Sequence, residues 1–470
     1  MIKQVLVLLV CGLAVANAMV REGWLDVRVD HFTPRNQETF PMRYYANDEH
    51  AYARGPIFII VGSAGPVDVR YLSHGLFYDI AYLEGAYLFA NEMRYFGHSL
   101  PVEDASTNNL DFLTIDQAMA DLVDFVNYVK FDVVRNPQAK VILLGYGIGG
   151  VVASHFRQQF PHLSTGAWIS SGPVHADFEF NGYMESLGNT IREFGGSECY
   201  GTIFSGFGVA QNLITLDRSE LLTEMFHLCD TLDVDDRFDA IAFLLGLQQN
   251  IEFEMLHRSQ TSATTEMCDV IEDDDFPNSL LALNNWFLHE HEYDTCVDLS
   301  FESYMAPLLE TDFDHDALQS GLRQRLYLQC TSTGFFPTTD SRYQPFGDQI
   351  DSDFYVEVCR RAFGDWIDED FIREQVDRTN RRFGGNTPIT DRVHYTNGDI
   401  DPQHVAGILR DLDDDDMAVA TLIANAFQAQ DLESIDYEYD SPEMIEAKER
   451  TRTLIDIWIF EDAAPIHHEA

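Results

Sequence analysis

The sequence predicts an α/β protein: an open, mostly parallel sheet with helices on both faces, interrupted by an inserted helical segment. Three observations lead there. Short continuous apolar runs at residues 56–61, 141–144 and 166–169 have the character of strands buried on both faces, as parallel strands are. Between the first two lies a segment with helical spacing of its apolar residues, which gives a strand, crossover helix, strand rhythm. From about residue 178 to about 322 the β-branched runs vanish and helical spacing takes over.

Each element has its own signal. Gly55 and Gly62 bound the first run. Thr114 and Gln117 predict a capping box opening a helix on which Ile115, Ala118, Leu122, Val126 and Val129 share one face. The run at 141–144 enters a glycine-rich turn, after which residues 151–160 continue as helix until Pro161 stops it. The next strand ends at Ser170-Ser171-Gly172, and residues 221–228 and 238–247 show the helical spacing of the insertion. Sheet character returns with Val393-His394-Tyr395 before Asn397-Gly398, and again at 417–423. Ser441 caps and Pro442 opens a last helix bearing Ile445, Leu454, Ile455 and Trp458. The predicted divisions are a signal at 1–18, a sheet domain at 19–177, a helical cap at 178–322 and the rest of the sheet domain at 323–470.

With 470 residues and 45% apolar content the chain can bury a large core. Lys3, the apolar stretch 5–15 and Ala16-Asn17-Ala18 read as a secretory signal with its cleavage site. No later stretch is apolar enough to span a bilayer, so no transmembrane anchor is expected. The expected location is secreted, or the lumen of a lysosome or secretory granule. Cys199, Cys229, Cys268, Cys296, Cys330 and Cys359 follow the signal, an even number suited to disulfides, with the pairing left open. Their spacing is not that of a metal site, and neither metal nor cofactor is expected. No Asn-x-Ser/Thr sequon occurs, since Asn386-Thr387-Pro388 lacks the third-place hydroxyl. A formal charge of −48 excludes nucleic acid as a natural partner. Repulsion of that size relaxes in an acidic lumen or against basic partners and cations, although a soluble acidic shell needs neither. The run 413–416 reads as a solvated loop, with loose calcium binding as its alternative.

Gly145-Tyr146-Gly147-Ile148-Gly149-Gly150 lies where a serine hydrolase carries its nucleophile. There the chain turns so sharply from strand to helix that small residues must flank the serine. Position 147 is itself glycine. Gly145, Gly147 and Gly150 also satisfy the dinucleotide fingerprint, but Ile169-Ser170-Ser171-Gly172 lacks the acidic residue that a ribose would require.

Ordered segments along nearly the whole mature chain resemble the prolyl-carboxypeptidase family of secreted and lysosomal serine exopeptidases. They include Asp30-His31-Phe32, Met42-Arg43-Tyr44-Tyr45 and Arg94-Tyr95-Phe96-Gly97-His98-Ser99-Leu100-Pro101. Asn109-Leu110, Gln117-Ala118, Phe160-Pro161-His162-Leu163 and Ser170-Ser171-Gly172-Pro173-Val174 continue the series. Gln329-Cys330-Thr331, Phe383-Gly384-Gly385 and Asn397-Gly398-Asp399-Ile400-Asp401-Pro402 complete it. The resemblance implies an α/β-hydrolase fold with an inserted helical cap, and a homodimer. Family members place the nucleophile in Gly-Gly-Ser-Tyr-Gly-Gly, so it implies that Gly147 stands at the serine position. Asp401 matches the triad aspartate, although Gln403 replaces the tryptophan usual after its proline. Gln428, within Asn425-Ala426-Phe427-Gln428-Ala429-Gln430-Asp431-Leu432, stands at the histidine position. Gly62-Ser63-Ala64-Gly65 replaces a Gly-Gly-Glu-Gly turn, which removes an acid suited to hold a peptide amine, and Met93 replaces a histidine.

Glycine has no atom to attack a carbonyl, and glutamine has no nitrogen that titrates near neutral pH. Loss of the nucleophile or base from a comparable triad costs on the order of 10⁶ in kcat. The expectation is therefore a catalytically inactive secreted relative, acting as a binding, structural or storage protein with an unidentified protein or peptide partner. The changes around the turn point to retention of the fold rather than of prolyl-peptide binding. The competing expectation is an active serine exopeptidase with a rewired triad, drawn from Ser63, Ser99, Ser154, Ser170 and Ser171 with His155, His394, His404, His467 or His468.

Overall fold

The computed structural model describes residues 20–257, 261–272, 278–289, 295–314, 319–412 and 418–460. The signal at 1–18, the acidic run 413–416 and His467-His468 lie outside the described residues.

Eight strands form one sheet: β1 (Arg21–Arg28), β2 (Thr39–Asn47), β3 (Ile57–Ile60), β4 (Tyr87–Asn91), β5 (Val141–Tyr146), β6 (Gly166–Ser170), β9 (Val393–Gly398) and β10 (Ala418–Ile423). Their order is β1-β2-β4-β3-β5-β6-β9-β10, with β2 antiparallel to both neighbours and every other pair parallel. This is the α/β-hydrolase sheet.

The continuous apolar runs follow from burial on both faces. Ile57, Ile59, Val141, Leu143, Ala167 and Ile169 enter one core with the helices Ile115–Tyr128 and Ile148–Gln159. Their alternate neighbours Phe58, Ile60, Ile142, Leu144 and Trp168 enter a second core with the helices Leu76–Glu84 and Pro442–Phe460. A slip of one residue would exchange the two sets, so both cores fix the register. β1 has no such signature, because Val27 is its only fully buried residue.

The capping box at Thr114 is half made. The Thr114 hydroxyl accepts from the Gln117 N–H at 3.1 Å. Instead of reaching back to Thr114, the Gln117 side chain donates to Asp30 at 2.7 Å and accepts from the His31 N–H at 3.0 Å. A tertiary partner has outcompeted the local one. At the last helix Ser441 accepts from the Met444 N–H at 3.1 Å, as a cap should.

Between β6 and β9 the chain leaves the main sheet. Helices at Asn181–Thr190, Gly196–Thr215, Ser219–Met225, Arg237–His257, Thr261–Ile271, Ser279–His289 and Phe301–Leu309 are followed by Leu322–Leu328, Ser352–Phe363 and Glu369–Phe383. Within this stretch β7 (Asp177–Glu179) and β8 (Gly334–Phe336) pair separately. Disulfides join Cys199 to Cys268, Cys229 to Cys296 and Cys330 to Cys359. The first two cross-link the helical stretch, the second beside an isolated bridge between Leu228 and Val297. Among the described residues no helix is long and apolar enough to cross a membrane.

Candidate functional site

The turn after β5 has the geometry of a nucleophile elbow. Gly147 sits at φ +53° and ψ −129°, immediately before the helix Ile148–Gln159. A side chain in that region costs about 1–3 kcal/mol of backbone strain, which glycine avoids. The flanking glycines are needed for packing: a Cβ on Gly145 would stand 2.3 Å from the Gly149 carbonyl oxygen. Position 147 is roomier, with the Ser63 hydroxyl 3.5 Å from where its Cβ would be. That hydroxyl accepts from the Gly149 N–H at 3.3 Å.

Asp401 follows β9 and is almost fully buried. Its Oδ1 accepts from the Gln403 N–H at 3.0 Å, whereas Oδ2 makes no hydrogen bond among the described residues. Burial pushes its carboxyl up to about 6, opposed by the Gln403 N–H and the Ser171 hydroxyl and reinforced by Asp431.

The loop after β10 is pinned elsewhere. Asp431 is buried and accepts from Ser170 at 2.6 Å and from Thr396, and the Ala429 N–H donates to Ser171 at 2.9 Å. Those contacts tie the loop to the ends of β6 and β9. Gln428, which precedes Ala429 and Asp431, is exposed. Asp431, a bound carboxylate one turn from the altered position, has a role that its charge alone does not disclose in the sequence.

Elbow and Asp401 loop meet at one cavity. Ile148, the first residue of the elbow helix, and Gln403, two residues after Asp401, line a space of about 210 Å³. Phe180, Tyr183, Phe335 and Arg325 close it from the helical stretch. Arg325 carries no motif; it stands just before the apolar run Leu326-Tyr327-Leu328.

The hydroxyls and imidazoles proposed for a rewired triad are engaged separately. Ser154 bonds Tyr395 at 2.9 Å, Ser99 donates to Glu92 at 3.0 Å, and Ser170 donates to Asp431. His394 bonds Thr421 at 2.9 Å and Thr451 at 3.0 Å. His155 is stacked on Phe383 with both ring nitrogens unbonded. Burial lowers both of these imidazoles to about 3, too low for a base near neutral pH. His404 bonds the Asp401 backbone carbonyl at 2.7 Å rather than its carboxylate. The hydrogen bond between a serine and a histidine among the described residues is that of the exposed neighbours Ser73 and His74.

Away from the elbow, motif residues form a buried frame. Arg94 donates to both oxygens of Asp121 at 2.7 Å and to the carbonyls of Arg28, Val29 and Phe112. His31 bonds Asp121 at 2.7 Å, and Glu92 receives Arg43, Ser99 and the His98 N–H. Burial would raise the Asp30 carboxyl, but hydrogen bonds from Thr33, Phe32 and Gln117 hold it down at about 2.

Sheet order, elbow and an acid after β9 define the class as an α/β-hydrolase scaffold of the serine-hydrolase type. The sequence pattern of the family Serine carboxypeptidase S28 matches residues 27–451, and the chain belongs to that family of serine exopeptidases. The thymus-specific serine protease of Mus musculus is 25% identical over 411 residues, covering 84% of this chain and 80% of that protein. The lysosomal Pro-X carboxypeptidase of Mus musculus is 29% identical over 220 residues, 44% of each chain. Among solved structures, the proline iminopeptidase of Mycobacterium smegmatis covers 93% of this chain and 97% of its own at 10% identity, with a TM-score of 0.40.

Proposed function

We infer that this chain is a non-hydrolysing member of its family, retained for binding in a lumenal or extracellular setting. The observation that carries the reading is Gly147: the elbow is formed, but no side chain stands on it. The buried Asp401 and the exposed Gln428 support it, because the acid lacks an imidazole to orient and the base position holds an amide. Three disulfides and a relative named lysosomal Pro-X carboxypeptidase support an oxidising or lysosomal compartment. A second copy of this chain and an unidentified protein or peptide are the partners this reading admits.

The test compares the natural chain with the double variant Gly147→Ser, Gln428→His on a chromogenic prolyl dipeptide substrate. The natural chain is expected to show no turnover above background and no serine labelled by a fluorophosphonate, and the double variant to gain both. Room for the new side chain exists, since the nearest atom to a Cβ at 147 is 3.5 Å away. Turnover by the natural chain equal to that of the variant, or capture of a specific serine in it, overturns the reading.

A further inference from the structure

We propose that the cavity between the elbow and the Asp401 loop is a binding site for a small ligand with an apolar body and a carboxylate, the carboxylate seated on Arg325. The inference rests on the non-hydrolysing reading, because it assigns this space to holding a ligand rather than to cleaving one.

Shape and lining come first. At about 210 Å³ the cavity is smaller than the roughly 300–1,000 Å³ typical of sites for drug-sized ligands, so its occupant is small. Ile148, Phe180 and Phe335 give it apolar walls, and Gln329 and Gln403 add neutral polar groups. Among the described residues no aspartate or glutamate lines it.

Arg325 supplies the charge. Its side chain is half-buried, and burial lowers its pKa with no carboxylate acting against that shift. Its one described hydrogen bond is to the Ala64 carbonyl, at the 3.5 Å limit. Arg94 meets Asp121, Arg43 meets Glu92 and Arg157 meets Asp391, while the buried Arg323, which like Arg325 and Arg392 has no ion pair among the described residues, is held by the carbonyls of Ala105 at 2.8 Å and Leu308 at 2.7 Å. A chain with 78 acidic and 30 basic residues has no shortage of carboxylates, yet none of the described ones pairs with this guanidinium. A partly desolvated cation without a counter-charge is costly, and an anion brought by a ligand removes the cost through a paired, charge-assisted hydrogen bond. Ala64, in the turn after β3, offers this guanidinium only its backbone carbonyl.

Titration calorimetry on the full chain tests the site with 3-phenylpropionate, its neutral amide and 3-phenylpropylamine. The carboxylate is expected to bind ~10- to 100-fold more tightly than the amide, and the amine not to bind. Arg325→Gln is expected to erase the preference for the acid while leaving amide binding unchanged. Phe335→Trp, which fills the cavity, is expected to remove binding of both. Acetyl-alanyl-phenylalanine binding more tightly than 3-phenylpropionate would assign the carboxylate to a peptide terminus, the reverse to a free acid; either order supports the seat. Equal binding of acid and amide, a preference that survives Arg325→Gln, or no binding of any probe overturns the proposal. Hydrolysis of a prolyl substrate by the natural chain would sink the inactive reading and leave the dependence on Arg325 to be judged by these titrations alone.

Discussion

The frame around Arg94 and the corner around Gly147 are held together differently. In the frame, Asp30, His31, Arg94, Ser99 and Gln117 each make a side-chain hydrogen bond within the fold. In the corner, Gly147 and Gln428 stand where the proposed reading puts the nucleophile and the base. Gly147 relieves a strained turn, and Gln428 faces solvent. Asp401, the group that stayed, is buried with an unsatisfied oxygen. Residues that hold the fold resist loss because their partners are buried, whereas residues that only serve chemistry can go without leaving such a debt.

The largest effect is expected in the frame. Arg94→Leu leaves Asp121 buried without its cation and should destabilise the chain by about 3–5 kcal/mol in urea unfolding. A loss below about 1 kcal/mol would break the contrast with the corner, since changes remote from buried features stay near ±0.5 kcal/mol.

An opposite sign is expected at Asp401. Its folded carboxyl is raised to about 6 from an ordinary 3.8, so the folded chain holds that proton more tightly than the unfolded chain does. Below pH 3.8 both states are protonated and the group favours neither beyond its hydrogen bonds; between 3.8 and 6 stability falls as pH rises, and above 6 the penalty is complete. Asp401→Asn should therefore be near neutral at pH 4 and stabilise by about 3 kcal/mol at pH 7, read as unfolding midpoints across that range. A loss of stability at pH 7 would show that the carboxylate has a partner that makes it part of the frame.

The smallest effect is expected at Gln428. Gln428→Ala should change stability by less than about 0.5 kcal/mol, because the loop is held by Asp431 and by the Ala429 N–H instead. A change above about 1 kcal/mol in thermal unfolding would mean that the amide has acquired a structural duty, which would sharpen the account of why histidine was not kept.

The alternating burial behind 56–61, 141–144 and 166–169 was legible because a strand covered on both faces must be apolar throughout. The elbow was legible because close approach of strand and helix admits only small residues. β1 was not legible, since an edge strand with one fully buried residue imposes little pattern. Gln117 misled at the helix start: its local capping role and its tertiary bond to Asp30 leave the same letter in the sequence.

The sequence by itself determined the central parallel strands, the family and the glycine at the elbow, because these depend on local sterics and on the chemistry each residue type possesses. Only the tertiary structure decided which cysteines pair, that Asp431 rather than Gln428 anchors the last loop, and that Arg325 enters a cavity without an acid. Those outcomes join residues far apart in the chain, and no spacing along the sequence encodes which buried group meets which.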